Sequence, residues 1–212
     1  MKHTKTKRSL LAGLCATMVA AIALPAGVAD AAPSRYERPT LVGLLLADAR
    51  FDDAAGFDRF AFDFDIVTEA LKLFPDLVEA ANSPSSSLTV FLPTDAAFRS
   101  LVKSLTGSAP RAEADVFAAV ASLGVDTVKA VLTYHILPTA VDYRTALKSD
   151  GAVLTTLNGA TLTVDVTGRW FQTVNLVDND PDLRDPKVVF PNLRASNGIA
   201  HAIDRVLLPI NV

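Results

Sequence analysis

Cysteine and histidine are scarce in this chain of 212 residues, which has one cysteine and three histidines. Cys15 and His3 both lie near the N-terminus. A disulfide framework and a zinc site built on several cysteines are therefore excluded, and the core must supply the stability by itself. Glycine-rich phosphate loops and the Gly-x-Ser-x-Gly elbow of many hydrolases are also absent.

The N-terminus has the layout of a secretory signal peptide. A basic stretch with Lys2, Lys5, Lys7 and Arg8 precedes the apolar run Leu10 to Leu24, and Ala29-Asp30-Ala31 follows it. The run is short of the roughly 20 residues that span a bilayer, and the small-x-small ending fits a cleavage site. We expect residues 1–31 to be the signal peptide and the mature protein to be extracellular or attached to the cell surface. An uncleaved anchor is the alternative.

The mature chain is acidic. Removing the leader takes away four of the 20 basic and one of the 23 acidic residues, so 16 and 22 remain and the net charge is −6. An acidic chain without basic clusters disfavours nucleic acid and anionic membrane surfaces as partners. No later stretch is long and apolar enough to span a membrane.

The first part of the mature chain, residues 32–62, is an expected lead-in segment outside the main domain. It contains a short helix capped by Thr40, with Leu41, Leu44 and Leu45 on one face. Residues 51–65, FDDAAGFDRFAFDFD, mix five aspartates with five phenylalanines. We expect them to form a partly ordered loop whose rings pack on the domain.

Helical patterns come first in the main domain and strand patterns second. Helices are predicted in residues 65–74, 75–82, 96–105, 113–124, 126–137 and 142–151, with one buried strand at 88–92. From residue 152, five short strand patterns follow, at residues 152–157, 160–166, 169–177, 187–193 and 198–208, separated by turns such as Asn158-Gly159 and Gly168. This grouping predicts an α+β fold with antiparallel strands and not an alternating βαβ fold.

Ser196, His201 and Asp204 are the residue types of a hydrolytic triad, within nine residues of one another. In a strand, His201 and Asp204 point to opposite faces, and Ser196 lies roughly 16 Å from His201 along an extended chain. A nucleophile and its base must be about 3 Å apart. The spacing therefore favours a structural strand, in which His201 is a hydrogen-bonded core residue, as is His135.

The sequence offers two weak metal patterns. His135 and His201 have no third ligand at a suitable spacing. The run Asp178 to Asp185 alternates oxygen-bearing side chains, but Leu183 and Val189 occupy the positions where a calcium-binding EF-hand loop needs glycine and glutamate. We expect no metal or other cofactor, and interpret residues 178–185 as a solvated turn between strands.

Three stretches, in order, resemble the landmarks of the fasciclin-like domain family. These are TVFLPTDAAF, with Thr89, Phe91, Pro93, Thr94, Asp95 and Phe98; LTYHILP, with Tyr134 and His135; and SNGIAHAIDRVLLP, with Asn197, Gly198, His201 and Asp204. The resemblance extends from Asp63 to Pro209, and we expect the domain to fill residues 63–212. It implies a two-sheet β-wedge with flanking helices, in which Asn197 and Gly198 shape a turn while His201 and Asp204 are architectural.

The resemblance implies a secreted, non-enzymatic adhesion or protein-interaction module, with an unknown protein or cell-envelope component as partner and a monomeric chain. The alternative is a binder of an apolar small ligand such as a carotenoid. Adhesive vertebrate relatives carry an Asp-Ile pair where this chain has Asn192 and Leu193, so integrin-type adhesion is not expected. Candidate interaction residues are Tyr134 and His135 at a helix end, and Asp180 and Asp182 in the acidic turn. A core position for Tyr134 is the competing interpretation.

Overall fold

The computed structural model describes residues 38–48, 57–58 and 60–211, which form helices and two β-sheets. The helices are α1 (Leu41–Asp48), α2 (Asp65–Lys72), α3 (Pro75–Asn82), α4 (Asp95–Thr106), α5 (Glu113–Ala121), α6 (Val125–Tyr134) and α7 (Tyr143–Ala146). The strands are β1 (Leu88–Pro93), β2 (Ile136–Leu137), β3 (Val153–Thr155), β4 (Thr161–Thr167), β5 (Thr173–Val177), β6 (Val188–Ala195) and β7 (Gly198–Ile203). The α+β prediction is confirmed.

Local chemistry explains where several helices begin and end. Thr40 Oγ1 accepts a hydrogen bond from the Gly43 N–H at 3.1 Å, the expected cap of α1. Pro75 is the first residue of α3, where its missing N–H has no helical partner to lose. Asp65 is the first residue of α2, and no side chain caps this helix at Phe64, the residue before it. Instead, the Ile66 N–H at the start of that helix donates to Asp95 Oδ1 of α4 at 3.0 Å.

The first sheet has the strand order β2-β1-β7-β6 and the second has β3-β4-β5. The second sheet and the β6–β7 pair are antiparallel, as expected. Strand β1, however, pairs with β7 in parallel, with Phe91 opposite His201. The antiparallel expectation concerned the strands after residue 151, and the partner of β1 was not predicted. A strand from the helical half of the sequence lies beside the last strand, so two of the resembling stretches meet in the centre of the first sheet.

The core has two parts. One lies between the helices and the first sheet and includes Ile66, Phe98 and Leu101. The other lies between the two sheets and includes Phe91 from β1, Tyr134 from α6, Leu162 from β4, Leu176 from β5 and Ile203 from β7. Every strand of the second sheet thus packs one face against residues that belong to the first sheet or its helices.

Helix α1 belongs to this folded body, although residues 32–62 were expected to lie outside the domain. Leu41 and Leu45 are buried in the first core, and the Ser196 N–H donates to the Pro39 carbonyl at 2.8 Å. Phe57 packs on the Phe117 ring with centroids 5.8 Å apart, whereas Phe60 is exposed. The predicted signal peptide, its cleavage site and the remaining part of the acidic loop lie outside the described residues.

Candidate functional site

His201 lies buried in β7 with both ring nitrogens bonded to the backbone. Its Nε2 donates to the Val141 carbonyl at 2.9 Å, and Nδ1 accepts from the Asn192 N–H at 3.3 Å. Ser196 is exposed, and Asp204 accepts from the Lys187 N–H at 2.9 Å. Since neither nitrogen of His201 is left to accept a proton from a serine, the three residues do not form a triad.

His135 follows α6 and is held in the same manner. Its Nδ1 donates to the Val131 carbonyl at 2.7 Å, and Nε2 accepts from the Leu207 N–H at 3.0 Å. Burial lowers the pKa of His135 to about 4 and also lowers the pKa of His201. Both imidazoles are therefore neutral and already satisfied. His135 is not the exposed contact residue that the sequence analysis considered.

Tyr134 is completely buried, with 0% of its surface exposed. Its hydroxyl donates to the Thr161 carbonyl at 2.8 Å, so the side chain links α6 to the second sheet. Burial raises the pKa of this phenol above its usual value. The core interpretation of Tyr134 is therefore correct, and its proposed role as an exposed contact was wrong.

Asn197 and Gly198 connect β7 to the start of the folded body. Asn197 Oδ1 accepts from the Leu41 N–H at 2.9 Å, and Nδ2 donates to the carbonyls of Ala81 and Ser83 at 2.7 and 3.0 Å. The expected turn is present, since Asn197 lies in the two-residue turn between β6 and β7, but Gly198 already begins β7. Neither residue has positive φ, and Asn192 is the one non-glycine residue with positive φ in the described ranges. Glycine is required at 198 because a Cβ there would lie 2.4 Å from the Leu88 carbonyl oxygen.

The residues of the first resembling stretch are buried as well. Thr89 Oγ1 donates to the Thr139 carbonyl and accepts from the Val141 N–H, both at 2.7 Å. The Thr94 N–H donates to the Ile203 carbonyl at 3.2 Å, and Asp95 holds the first turn of α2. Phe91, Pro93 and Phe98 are buried apolar residues between these polar contacts. These side chains position elements and offer no exposed binding surface.

The acidic turn is only partly solvated. Asp180 is 2% exposed, and its Oδ1 accepts from the N–H groups of Asp182 and Leu183, both at 2.9 Å. Asp178 accepts from the Leu208 N–H at 2.8 Å, and burial raises its pKa to about 6. The expectation that Asp180 is exposed was therefore wrong, because its carboxylate is buried against the backbone N–H groups of its own turn. Asp182 is exposed, and its carboxylate accepts a hydrogen bond from the side-chain amide of Asn211.

Asn192 occupies the position of the adhesive relatives' aspartate and has a structural role here. It lies in a bulged part of β6 with φ 62, a conformation that asparagine tolerates better than most residues. Its Oδ1 accepts from the Tyr143 N–H at 2.9 Å, and its own N–H donates to His201. Through its side chain and its backbone N–H, Asn192 thus joins β6 to α7 and to β7.

The turn between β4 and β5 carries an exposed feature that the sequence analysis missed. Trp170 and Phe171 are 85% and 92% exposed, and the Arg169 guanidinium lies 5.9 Å from the Trp170 ring. Gly168 begins the turn with φ 97, and a Cβ there would lie 2.2 Å from the Phe171 carbonyl oxygen. The signal in the sequence is a pair of large aromatic residues close after the turn glycine, with only Arg169 between the glycine and the pair; the sequence pattern had placed this pair in a strand.

A cavity of about 610 Å³ lies among the helices and the C-terminal segment. Its walls are mainly apolar and include Val67, Phe98, Leu101, Leu123, Val131 and Leu208.

In the described part of the chain, no single helix is long and apolar enough to cross a membrane. Helices α5 and α6, which line the cavity, reach that length and composition only together, across a 105° bend.

Comparison with known proteins agrees with this architecture. Residues 63–209 match the fasciclin domain family. Protein sll1483 of Synechocystis sp. is 29% identical over 185 residues, which cover 86% of this chain and 87% of that protein. The solved structure of a FAS1 domain pair from the insect cell adhesion molecule fasciclin I has a TM-score of 0.57 at 18% identity, covering 81% of this chain and 51% of that one. This chain therefore spans about half the length of that structure.

The chain belongs to the fasciclin domain family. Domains of this family are generally non-enzymatic modules for adhesion or protein interaction, and are typically found outside the cell or on its surface. Apart from the partly exposed Asp204, the polar residues by which the sequence resembles the family are buried in the first sheet and at the ends of its helices.

Proposed function

We propose that this chain is a secreted, non-enzymatic interaction module whose contact surface is the β4–β5 turn, Arg169 to Phe171. The observation that carries the proposal is the nearly complete exposure of two adjacent large aromatic side chains. The side chains of Trp170 and Phe171 contribute nothing to the core. Tryptophan, tyrosine and arginine are the residues that most often supply the binding energy of protein interfaces.

The turn is also built to present these side chains. It joins the two strands of a hairpin whose inner face is fixed in the core by Val164, Val174 and Leu176. Aromatic side chains on a rigid support lose little conformational entropy when they bind. Arg169 beside the Trp170 ring adds a cation that can meet a carboxylate of the partner.

Capture of cell-envelope components from the host tests this proposal. The wild-type protein should retain an envelope component, and Trp170→Ala/Phe171→Ala should lose at least tenfold in affinity because truncation of an interface anchor typically costs about 2 kcal/mol or more. The matched control is Phe60→Ala/Phe62→Ala, which removes another exposed aromatic pair. Equal loss in both variants, or none in the first, would contradict the assignment of the contact to this turn.

The cavity supports a second function, the binding of an apolar small ligand such as a carotenoid. A volume of about 610 Å³ lies within the range of ligand sites, and walls that are mostly apolar suit such a molecule. Leu123 lines the cavity and is 44% exposed, so Leu123→Trp should narrow the opening with little effect on the core. A coloured organic extract from the native protein that is lost in this variant would support the second function. A colourless extract and no binding of added carotenoid would oppose it.

A further inference from the structure

Three buried carboxyl groups meet where the acidic, phenylalanine-rich loop joins the helices. Asp63 ends the loop, Asp95 is the first residue of α4, and Glu113 is the first residue of α5. All three residues are buried, with 7%, 0% and 2% of their surface exposed. Each offers a carboxylate oxygen that lies within 4.8 Å of those of the other two.

The backbone fixes this arrangement from several directions. The Asp95 N–H donates to the Asp63 carbonyl at 3.2 Å, and the Ala96 N–H donates to the Ala61 carbonyl at 2.8 Å. Asp95 Oδ1 accepts from the Ile66 N–H at the start of α2. The end of the loop and the beginnings of α2 and α4 are therefore held together, and the meeting of the acids does not depend on flexible surface side chains.

Several oxygens of the cluster have no hydrogen-bond partner among the described residues. They are Asp63 Oδ1, Asp95 Oδ2 and both carboxylate oxygens of Glu113. This is unusual, because buried polar atoms are nearly always hydrogen-bonded and an unpaired buried carboxylate is costly. Asp63 and Asp95 can hydrogen-bond to each other only when one of them is protonated. When all three carboxyl groups are ionised, their facing oxygens have no donor, and a bound cation would satisfy them.

Arg99 does not supply enough positive charge to be that partner. Its guanidinium lies 3.8 Å from Glu113 Oε1, too far for a hydrogen bond, and the same group donates to the Arg111 carbonyl at 3.1 Å. Three ionised carboxylates beside one guanidinium leave two negative charges, which one divalent cation balances.

The ligand chemistry favours one type of cation. Calcium binds oxygen ligands at about 2.3–2.6 Å, so two oxygens on one ion can lie up to about 5 Å apart, which is compatible with carboxylate oxygens that all lie within 4.8 Å of one another. Magnesium requires shorter bonds and a stricter octahedron. Zinc sites usually include histidine or cysteine, and neither is among the residues of the cluster. Three carboxylates supply three to six oxygens, and water or backbone carbonyls commonly complete a calcium shell.

We propose that Asp63, Asp95 and Glu113 form a binding site for a divalent cation, with calcium preferred over magnesium. Asp58 and Asp65 form an overlapping acidic group through Asp63 and strengthen the attraction of a cation to this part of the molecule. The site gives the acidic loop a role, since a bound ion ties the loop end to α4 and α5. It is independent of the β4–β5 turn and of the cavity.

Calcium titration of the purified protein, stripped with EDTA and returned to metal-free buffer at pH 7.5, tests the proposal. Calorimetry with CaCl₂ should show one ion per chain with a Kd on the order of 10⁻⁴–10⁻³ M, the range of extracellular calcium modules. At 10 mM CaCl₂ and constant ionic strength, the unfolding midpoint should rise by about 3–10 °C. The same concentration of MgCl₂ should raise it less.

Two variants locate the site. Glu113→Gln keeps the shape of the side chain but removes its charge, and should abolish both the calcium heat and the rise in midpoint; Asp63→Asn provides a second test with the same expectation. Asp115→Asn, an exposed acid two residues further along α5, should retain both responses. The proposal is overturned if the wild type shows neither response. It is equally overturned if Glu113→Gln responds like the wild type.

Discussion

Polar side chains are buried around β7, whereas aromatic side chains are exposed at the β4–β5 turn. Asn197, His201 and His135 have all their hydrogen-bonding side-chain atoms paired within the fold. Trp170 and Phe171 are almost fully exposed, so their side chains make almost no contact with the rest of the fold. Both regions depart from the usual distribution of residues. The first departure is explained by internal hydrogen bonds, and the second has no explanation within the folded chain, so binding is the function it suggests.

Asn197→Ala should have the largest effect on stability. The substitution leaves the Leu41 N–H and the carbonyls of Ala81 and Ser83 without their buried partner. We expect the free energy of unfolding to fall by about 3–4 kcal/mol, since each orphaned buried group costs about 1–3 kcal/mol. Urea denaturation measures this loss. The control Asn211→Ala, at an exposed site, should cost less than about 0.5 kcal/mol. Similar losses in both variants would contradict the claim that the buried hydrogen bonds of Asn197 stabilise the fold.

Asp180→Ala should come next, because it separates the buried acid of the turn from the exposed one. Asp180 Oδ1 holds two N–H groups, so its loss should cost about 2 kcal/mol. Asp182→Ala removes an exposed contact to Asn211 and should cost less than about 0.5 kcal/mol. Thermal unfolding of the two variants checks the difference. A turn that tolerates both substitutions equally would mean that Asp180 does not organise it.

His135 should make stability depend on pH. Its pKa is about 4 in the folded chain and about 6.5 when unfolded, so the unfolded chain binds more protons between these values. The contribution of His135 to the free energy of unfolding is fully present above pH 6.5 and is lost as the pH falls towards 4. Between pH 7.5 and 5.5 the loss should be about 1 kcal/mol.

The buried acids act in the opposite direction. The pKa values of Asp63, Asp95, Glu113 and Asp178 are raised by burial, so folding favours their protonated forms. The measurement must therefore be the difference between the wild type and His135→Gln, unfolded in urea at both pH values. The variant should lose about 1 kcal/mol less on acidification. An equal pH dependence would show that His135 is not buried in a neutral state.

The smallest effect on stability is expected at the exposed turn. Trp170→Ala/Phe171→Ala should change the free energy of unfolding by less than about 0.5 kcal/mol, because truncating exposed side chains leaves no cavity. Urea denaturation of this variant beside Asn197→Ala gives the two extremes of the comparison. A loss above 2 kcal/mol at the turn would mean that the aromatics support the fold after all.

The sequence predicted the helices, the family and every described strand except β2, because periodicity, turn residues and the three resembling stretches are local signals. The two residues of β2, Ile136 and Leu137, had been included in the predicted helix 126–137, which was wrong there. The sequence also indicated that His135 and His201 are core residues, since both have apolar neighbours. It did not show that β1 and β7 pair in parallel, as that contact joins residues about 110 positions apart. Nor did it bring Asp63, Asp95 and Glu113 together, because their meeting depends on how α2, α4 and α5 pack.

The exposure of particular side chains was equally hidden in the sequence. Asp180 appeared to be a surface acid, but its carboxylate caps the N–H groups of its own turn. Trp170 appeared to be part of a strand, but the strand begins at Thr173, beyond the turn. A polar residue at a turn and an aromatic residue beside a strand are each compatible with burial or exposure, and only the packed structure decides.

The central claim is that partners are bound through the β4–β5 turn, and the single tryptophan of the chain allows a direct test. Labelled with 5-fluorotryptophan, the protein should give one ¹⁹F resonance, at Trp170, with the solvent-isotope sensitivity of an exposed ring. Adding the envelope fraction that captures the protein should broaden or shift this resonance, and an excess of unlabelled wild type should restore it. Capture of the protein with an unchanged ¹⁹F resonance would contradict the claim.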